Sequence, residues 1–578
     1  MAKKAGFRVG AAWAAIVLIA VFGIRETARA AAPAGAWSEG GMVSASVAPA
    51  VPAGVEMLNA GGNSVDAAVA TAFAGGVAHQ FSSGIGGGGF IVGRLASGES
   101  FVIDAREVAP AKIRPELYTQ GTDRSSRSGG LSVAVPGLVQ GLEELHQKYG
   151  SLPWSQVLEP AIALCRDGVA VEVHHRRMLS RAQKRLANYP ETVSAQYRDG
   201  EVPPLGWKLV QPELARTLRA IARRGSKAMT HGPIAKAIVK AVQEDGGVLA
   251  LEDLQAYRTV WRKPVRGSYR GVEIVSMPPP SSGGVLLIEM LNALEGDDLA
   301  SLGHNSSRYI HHVSSVMKVA FADRPVYMGD PAYYPVPVKR LTSKAYGLEL
   351  RARLEPSLAH RILPRGWRRP FIPKIQGPIE IPVDDAGTTH LSVMDSAGNA
   401  ISITQTVNTL FGSGITVPGT GIVLNNEMDD FSVLAGAPNL WAVTGRDANA
   451  VAPGKRPLSS MTPTILVKDG ENYAVLGSPM GPLIITTVLQ TTLNLIDFEM
   501  DAQAAVSAPR FHHQWQPDKL RLEADHPLDI LQTLKRWGHP AEVAPFEFGA
   551  AALVVRDAKS GLFWGAADPR RDSRAAGP

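Results

Sequence analysis

Two adjacent threonines near the middle of the chain, Thr388 and Thr389, could carry nucleophilic chemistry. They stand in the segment Asp384–Asn408, which reads DDAGTTHLSVMDSAGNAISITQTVN. A threonine hydroxyl is a weak nucleophile unless a base lies next to it. The α-amine of the same residue, with a reference pKa of about 7.7–8, is an economical base, but it is free only when that residue is N-terminal. The segment therefore raises the hypothesis that the chain is cut between Gly387 and Thr388.

The residues before the two threonines fit such a cut. Between residues 355 and 385 the chain has six prolines and five basic residues, which predicts an exposed tail or linker. The small residues Ala386 and Gly387 follow, and Thr388 would then begin a buried strand. In the uncut chain the Thr388 hydroxyl could attack the Gly387 carbonyl, move the acyl group from N to O, and release a new terminus on hydrolysis. The alternative is structural, because a Thr-Thr pair also suits a strand and a local hydrogen bond.

Helices and β-hairpins must position these threonines, and both occur in each half of the chain. THLSVMD and AISITQTV flank the turn Ser396–Asn399 and predict a hairpin, as do TPTILVKDG with NYAVLGSP, and AALVVRDAKSGLFWGAADP. Asn63, with Asp66 three residues later, predicts the capped start of a buried helix. Further helices are expected at Leu138–Lys148, Trp154–Cys165, Pro212–Arg223, Pro233–Glu244, Ser307–Ala322 and in LIITTVLQTTLNLID. This interleaving predicts antiparallel sheets covered by helices.

Composition limits the classes of function. The chain has 578 residues, of which 45% are hydrophobic and 19% charged, as in ordinary globular proteins. The net charge of +6 is not gathered into a Lys/Arg stripe interleaved with aromatic residues, so nucleic acid is not expected as a partner. Cys165 is the single cysteine, which excludes an intramolecular disulfide.

The N-terminus has the pattern of a secretory signal. Lys3, Lys4 and Arg8 precede the apolar run Val9–Ile24, and Ala28-Arg29-Ala30 then offers a small-x-small cleavage site. We expect residues 1–30 to be removed and the protein to be exported, periplasmic or secreted, without stable membrane insertion. The alternative is an uncleaved N-terminal anchor with the protein facing outside. No later stretch reaches the roughly 18 apolar residues that span a bilayer.

Three motif matches do not point to their usual chemistry. Gly84–Gly89 fits G-x-G-x-x-G, but a helix precedes it and a strand follows, the reverse of a dinucleotide-binding unit. We expect a tight loop there that lets backbones approach closely. Ser315–Lys318 fits S-x-x-K within a continuous helix, without a later K-T-G. The pairs His174-His175, His311-His312 and His512-His513 lack an acid or cysteine at ligand spacing, so no metal and no cofactor is expected.

Long ordered stretches of the chain carry a family resemblance. They are SGIGGGGF, DAREVAPAK, SMPPPSSGG, ADRPVYMGDP, TTHLSVMD, NNEMDDFS, DANAVAPGKRPLSSMTPTI, GSPMGP and APRFHHQW. In these stretches the chain after the N-terminal segment resembles the γ-glutamyltranspeptidase (glutathione hydrolase) proenzymes, which are N-terminal-nucleophile hydrolases. The resemblance implies an α+β, four-layer αββα sandwich of two antiparallel sheets covered by helices. It also implies autocleavage into a large chain, 31–387, and a small catalytic chain, 388–578, which stay together as a heterodimer.

The resemblance assigns roles to particular positions. Thr388 matches the nucleophile, Gly387 and Thr388 the processing site, and Thr406 a threonine whose hydroxyl supports the nucleophile. Substrate-binding positions divide into those for the α-carboxylate of a γ-glutamyl unit (Arg106, Ser459, Ser460) and those for its α-ammonium (Asn408, Glu427, Asp430). Such types suit a zwitterion, which needs a fixed cation and hydroxyls on one side and acceptors on the other. Trp441 matches an aromatic residue on a lid, although a packed Trp beside a proline turn is the alternative.

One departure from the family pattern concerns the oxyanion hole. The family segment reads Gly-Ser-Pro-Gly-Gly-Ser, whereas this chain has Gly477-Ser478-Pro479-Met480-Gly481-Pro482. The N–H groups of Met480 and Gly481 can still donate, but Met480 adds a bulky side chain and Pro482 removes an N–H and a hydroxyl. The departure puts activity on the usual substrate in question.

The resemblance therefore implies an enzyme that cleaves the γ-glutamyl amide of glutathione or another γ-glutamyl compound through a γ-glutamyl-Thr388 intermediate. Water, an amino acid or a peptide amine would take the acyl group. One alternative is a related acylase for another acyl group, such as a glutaryl side chain of a β-lactam. The other is an impaired relative that keeps the fold as a scaffold.

Overall fold

The computed structural model describes residues 35–119, 126–352, 354, 386–432, 439 and 447–578. The predicted signal segment, 1–30, and the segment 355–385 lie outside these residues. Both therefore stay predictions, as does the division into chains 31–387 and 388–578. Within the described part of the chain, no helix has the length and apolar character needed to cross a membrane.

The strands and helices interleave along the chain, as the alternating sequence patterns predict. The strands are β1 (Ala36–Ser38), β2 (Gly41–Ala45), β3 (Gly88–Arg94), β4 (Ser100–Ala105), β5 (Val169–Ala170), β6 (Lys208–Leu209), β7 (Val260–Arg262), β8 (Val265–Tyr269), β9 (Val272–Ser276), β10 (Ala386–Asp395), β11 (Ala400–Thr409), β12 (Thr416–Val417), β13 (Ile422–Val423), β14 (Thr464–Lys468), β15 (Glu471–Gly477), β16 (Phe511–His512), β17 (Leu520–Leu522), β18 (Ala541–Val543), β19 (Ala552–Arg556), β20 (Phe563–Ala567) and β21 (Arg574–Ala576). The helices are α1 (Val51–Asn59), α2 (Ser64–Ala78), α3 (Glu116–Thr119), α4 (Leu138–Tyr149), α5 (Trp154–Asp167), α6 (Val173–Leu186), α7 (Pro190–Gln196), α8 (Pro212–Arg224), α9 (Lys227–Thr230), α10 (Pro233–Glu244), α11 (Leu251–Ala256), α12 (Gly283–Leu294), α13 (Leu299–Leu302), α14 (Ser307–Tyr327), α15 (Val338–Leu341), α16 (Lys344–Ala352), α17 (Leu483–Ile496), α18 (Ala502–Ser507) and α19 (Leu528–Arg536).

Two seven-stranded antiparallel sheets form the centre of the fold. One has the strand order β21-β2-β10-β11-β3-β4-β7 and the other β1-β20-β19-β15-β14-β9-β8. Each sheet combines strands from before and after residue 387, so the two parts of the chain share both sheets. The predicted class, α+β with two antiparallel sheets, is confirmed.

Side chains of the β10–β11 hairpin point alternately to its two faces, which explains how the layers stack. Ile401 and Ile403 of β11 pack in one hydrophobic core with α2, α4 and α5. Ser392 and Ser402 point to the opposite face, where their hydroxyls donate to the carbonyls of Ala552 at 3.0 Å and Leu476 at 3.2 Å in the second sheet. Helices α12 and α17 pack on the second sheet. This is the four-layer αββα arrangement.

Local expectations are largely confirmed. The Asn63 side chain accepts hydrogen bonds from the backbone of Val65 and Asp66, and Asp66 accepts from the Asn63 backbone, which is the expected capping box. The hairpin of β10 and β11 forms around the predicted turn. One detail of the expectation is wrong, because β10 begins at Ala386 rather than at Thr388. Ala386 and Gly387 already pair with β11 in the uncut chain.

Candidate active site

The two threonine hydroxyls lie at the end of the β10–β11 ladder. Thr388 pairs with Thr406, and a bulge separates that pair from the pairing of Gly387 with Asn408. The two hydroxyl oxygens are 2.9 Å apart, and the Thr406 hydroxyl donates to the Gly387 carbonyl at 2.6 Å. The Asn408 backbone N–H donates to the same Thr406 oxygen at 2.8 Å. Thr406 therefore contacts both the hydroxyl of Thr388 and the carbonyl that Thr388 would attack.

The glycine loop Gly84–Gly89 makes this arrangement possible. Its last residues begin β3, and Gly88 pairs with Thr406. A Cβ on Gly87 would lie 1.9 Å from the Thr406 carbonyl oxygen, closer than any side chain can approach. The expected tight loop with close backbone approach is confirmed, and it supports the strand that carries Thr406.

A buried ionic cluster forms the opposite part of the site. Arg106, at the end of β4, is 1% exposed. Its Nη1 pairs with Glu427, and its Nη2 lies 2.5 Å from an oxygen of Asp430. Both acids belong to a short 3₁₀ helix, Glu427–Asp430. Burial raises the pKa of both carboxyls, although the Arg106 guanidinium works in the opposite direction.

Glu107 is a third acid in this cluster, and its role was not apparent from the sequence. It is fully buried, and one carboxylate oxygen lies 3.6 Å from Nη1 of Arg106. Among the described residues, neither carboxylate oxygen has a hydrogen bond of good geometry, although the backbone N–H groups of Glu107 and Gly88 lie close enough to work against a rise in its pKa. Burial raises the pKa of Glu107 to about 7, although Arg106 opposes the rise. Burial therefore makes this carboxyl hold its proton more readily than an ordinary glutamate does.

Arg324 is a second buried cation at the site. It was not among the site residues predicted from the sequence. It lies near the end of α14, within the family stretch ADRPVYMGDP, which is the signal that could have identified it. Its Nη2 donates to the Ser460 hydroxyl at 3.2 Å and its Nε to the Ser282 hydroxyl at 3.0 Å. Burial lowers the pKa of Arg324 to about 10. Arg324 and Ser460 together form a cationic, hydroxyl-bearing wall.

The oxyanion segment has an unusual backbone. Met480 and Gly481 both have positive φ, +98° and +52°, a region that costs free energy for a residue with a side chain. The Met480 side chain packs with Leu483 and Phe548, and its Sδ accepts from the Gly549 N–H at 3.3 Å. The side chain thus faces away from Thr388. The described residues include no acceptor for the N–H groups of Met480 and Gly481, which leaves both donors available.

Most of the predicted site residues meet in one cavity. The site residues predicted from the sequence that line this cavity are Thr388, Thr406, Asn408, Arg106, Glu427, Asp430, Ser459, Ser460 and Gly481. Met480 is beside the cavity but does not line it, and Trp441 lies outside the described residues. Arg324 and Asn439 line the cavity as well, and Asn439 Nδ2 is 3.4 Å from an oxygen of Asp430.

The sequence is similar to a protein family and to individual proteins of that family and of the acylases. A family model described as Gamma-glutamyltranspeptidase matches residues 50–578. The chain is 41% identical over 535 residues to the glutathione hydrolase proenzyme of Escherichia coli strain K12, which covers 92% of this chain and 90% of that protein. It is 38% identical over 543 residues to the acylase ACY 1 proenzyme of Pseudomonas sp. strain SE83, with 92% of each chain covered.

Solved structures have the same architecture. A cephalosporin acylase from Bacillus halodurans superposes with a TM-score of 0.82 at 29% identity, covering 94% of this chain and 97% of that one. A γ-glutamyltranspeptidase chain from Helicobacter pylori superposes with a TM-score of 0.53 at 39% identity, covering 55% of this chain and 93% of that one. Proteins of both names therefore resemble this chain in fold.

Proposed function

Because the chain belongs to the γ-glutamyltranspeptidase family, we propose that it is a self-processing γ-glutamyl hydrolase and transferase with Thr388 as nucleophile. The observation that carries the proposal is the cavity shared by the Thr388 hydroxyl and the ion pair of Arg106 and Asp430. A nucleophile at one end and fixed opposite charges at the other suit an amide whose far end is a zwitterion.

Processing would begin in the uncut chain. The Thr388 oxygen attacks the Gly387 carbonyl carbon, and the Thr406 hydroxyl, which donates to that carbonyl, stabilises the developing negative charge. The C–N bond then breaks as the nitrogen takes up the proton that the hydroxyl gives up, so that an ester replaces the amide and the nitrogen becomes the free amine of Thr388. Water hydrolyses the ester and leaves a carboxylate on Gly387.

The free amine then serves the second reaction. It takes the proton of the Thr388 hydroxyl as that oxygen attacks the γ-carbonyl of the substrate, and it returns the proton to the leaving amine. The N–H groups of Met480 and Gly481 donate to the oxyanion. Water or an acceptor amine, such as an amino acid or peptide, then takes the γ-glutamyl group from Thr388.

Substrate recognition follows from the charges. The α-carboxylate would bind at Arg106, with Arg324 and the hydroxyls of Ser459 and Ser460 beside it. The α-ammonium would bind among Asn408, Glu427 and Asp430. Arg106 pairs with both Glu427 and Asp430. A zwitterion would therefore exchange one set of ion pairs for another instead of leaving a buried charge alone.

The acylase alternative has specific support. The B. halodurans acylase matches nearly the whole chain, and the Met480-Gly481-Pro482 segment departs from the usual family pattern. A glutaryl group, however, has no ammonium for Asp430. The rates of hydrolysis of γ-glutamyl-p-nitroanilide and glutaryl-p-nitroanilide separate the two activities. Both compounds release p-nitroaniline, so the two rates can be compared directly. We expect the γ-glutamyl compound to react faster, and Asp430→Asn to reduce that preference. A faster glutaryl reaction would establish the acylase.

Intact masses under denaturing conditions test the nucleophile. We expect two chains from the wild-type protein, with a new N-terminus at Thr388, and one uncut chain from Thr388→Ala. Thr389→Ala is the matched control and should be cut. A folded, exported wild-type protein that stays uncut would contradict the proposal and favour the scaffold alternative.

We also propose that residues 1–30 direct export and are removed after Ala30, on the strength of their charged, apolar and small-residue sections. The N-terminal sequence of the mature protein tests this. An N-terminus at Ala31 would support cleavage, and one at Met1 in a membrane fraction would support an anchor.

A further inference from the structure

A second cleft, here called the rear cleft, lies on the other side of the oxyanion segment. Its volume is about 560 Å³, and its walls come from α6, the segment 544–549 and the C-terminal residues 569–571. Its lining includes Arg177, Met178, Met480, Phe546, Glu547 and Arg571. Met480 therefore has its backbone at the Thr388 cavity and its side chain in the rear cleft.

Two guanidinium groups of the rear cleft, those of Arg177 and Arg571, differ in their partners from other arginines nearby. Arg570 and Arg510 nearby are paired, with Glu523 at 2.6 Å and Asp568 at 2.7 Å respectively. Within the described residues, neither Arg177 nor Arg571 has a carboxylate oxygen within 4.0 Å. Burial lowers the pKa of Arg571 to about 10, and Arg177 adds to this fall, although the Asp568 and Glu547 carboxylates work in the opposite direction. Arg177 is exposed and its Nη2 lies 3.2 Å from Nδ1 of His174, so the buried charge is that of Arg571. A bound anion would add to the partial compensation that Asp568 and Glu547 give to this buried charge.

The rest of the cleft indicates the kind of anion. Met178, Met480 and Phe546 give it an apolar wall, which suits a hydrocarbon body. Glu547 and Asp525 carry negative charge at exposed positions of the lining, where they would repel a second anionic group. The combination fits a molecule with one carboxylate and an apolar body better than a polyanion.

The rear cleft also touches the nucleophile. Nη1 of Arg571 donates to the backbone carbonyl of Thr388, at a long 3.4 Å. The second link is Met480, whose side chain would contact a ligand and whose N–H is an oxyanion donor. We propose that the rear cleft binds a small monocarboxylate with an apolar body, and that the bound molecule acts on the Thr388 site through Arg571 and Met480.

Benzoate is a suitable probe, because it has one carboxylate and an apolar ring. Isothermal titration of the full purified protein should give saturable binding that Arg177→Gln weakens at least tenfold. Arg176→Gln is the matched control, since Arg176 is an exposed neighbour on α6 that does not line the rear cleft. Inorganic phosphate should bind more weakly than benzoate. The proposal is overturned if benzoate does not bind, if both variants bind alike, or if phosphate binds more tightly.

The effect on the Thr388 site needs a kinetic measurement. Saturating benzoate should change kcat for γ-glutamyl-p-nitroanilide at least twofold in the wild type and in Arg176→Gln, but not in Arg177→Gln. A rise in KM alone, equal in all three proteins, would mean that benzoate competes at the Thr388 cavity and would overturn the coupling. If the protein lacks γ-glutamyl activity, the proposed function fails, and the calorimetric result still decides whether the rear cleft binds its ligand. The rate of chain cleavage then serves as the readout of coupling.

Discussion

The two sides of the Thr388 cavity are built in different ways. On one side, Thr388 and Thr406 belong to an antiparallel ladder that continues in register from Thr388 to Met394. On the other side, Met480 and Gly481 both have positive φ and lie between the end of β15 and the start of α17. Repeated backbone hydrogen bonds hold the first side, and the packing of one side chain helps to hold the second.

This difference indicates what a substitution should change on each side. In the ladder, the backbone keeps its path when one side chain is replaced, so the effect falls on the chemistry of the removed group. In the oxyanion segment, the Met480 side chain and the Met480 N–H belong to the same strained residue. We therefore expect changes in the hairpin to alter rates and changes at Met480 to alter stability as well.

The largest effect is expected for the hydroxyl of Thr406. Thr406→Val keeps the shape of the side chain but removes the donor to the Gly387 carbonyl. The rate of chain cleavage should fall by about 10²–10³, the usual loss for one oxyanion donor. Thr406→Ser keeps a hydroxyl and should stay within about tenfold of the wild type. A mass-spectrometric time course of cleavage measures both, and equal rates for the Val variant and the wild type would contradict this role.

A similar loss is expected from the glycine loop behind the ladder. Gly87→Ala would place a Cβ 1.9 Å from the Thr406 carbonyl oxygen, so the strand must move. We expect a loss of about 3 kcal/mol in the free energy of unfolding, near the upper end for overpacking. Gly84→Ala is the matched control in the same loop, because the nearest atom would be 3.5 Å away. Urea denaturation of the two variants tests the contrast, which fails if both lose the same stability.

The hairpin was predictable because its evidence is local. The alternation of THLSVMD and AISITQTV determines which residues face α2 and which face the second sheet, and the turn residues lie between them. Its partners were not predictable in the same way. Pairing of β10 with β2, and of β11 with β3, joins residues more than 300 positions apart, for which a single sequence has no local signal.

The ionic cluster shows the same limit. Resemblance to a family assigned Arg106 and Asp430, but Glu107 and Arg324 became apparent only when the fold brought them to the same cavity. The direction of the Met480 side chain depends on Ala544 and Phe548, which are over 60 residues away in the sequence. Sequence reasoning identified the altered segment but had no means of assigning that side chain to another cleft.

Glu107 should give the ionic side of the cavity a distinctive dependence on pH. Its pKa is about 7 in the fold, against an ordinary value of 4.5, chiefly because it is buried. Between pH 4.5 and pH 7 the folded protein holds a proton on Glu107 that the unfolded chain has released. The contribution of this proton to the free energy of unfolding is therefore complete below pH 4.5 and is lost as pH rises through 7. Between pH 5 and 8 the free energy of unfolding of the wild type should fall by on the order of 2 kcal/mol through Glu107, and Glu107→Gln should not show this fall. Urea denaturation at several pH values measures this, and parallel pH curves would contradict it.

The smallest expected effect separates strain from packing at Met480. Met480→Ala and Met480→Gly both lose the contacts with Leu483 and Phe548, but only glycine accepts φ of +98° without strain. Met480→Gly should therefore be more stable than Met480→Ala by about 1 kcal/mol. Met394 is the matched control, since it is equally buried but lies in the regular ladder of β10. There the order should reverse, because glycine weakens a strand interior. If Met480→Ala is at least as stable as Met480→Gly, as expected at Met394, the backbone of the oxyanion segment is not strained, and the two sides of the cavity differ only in side-chain packing.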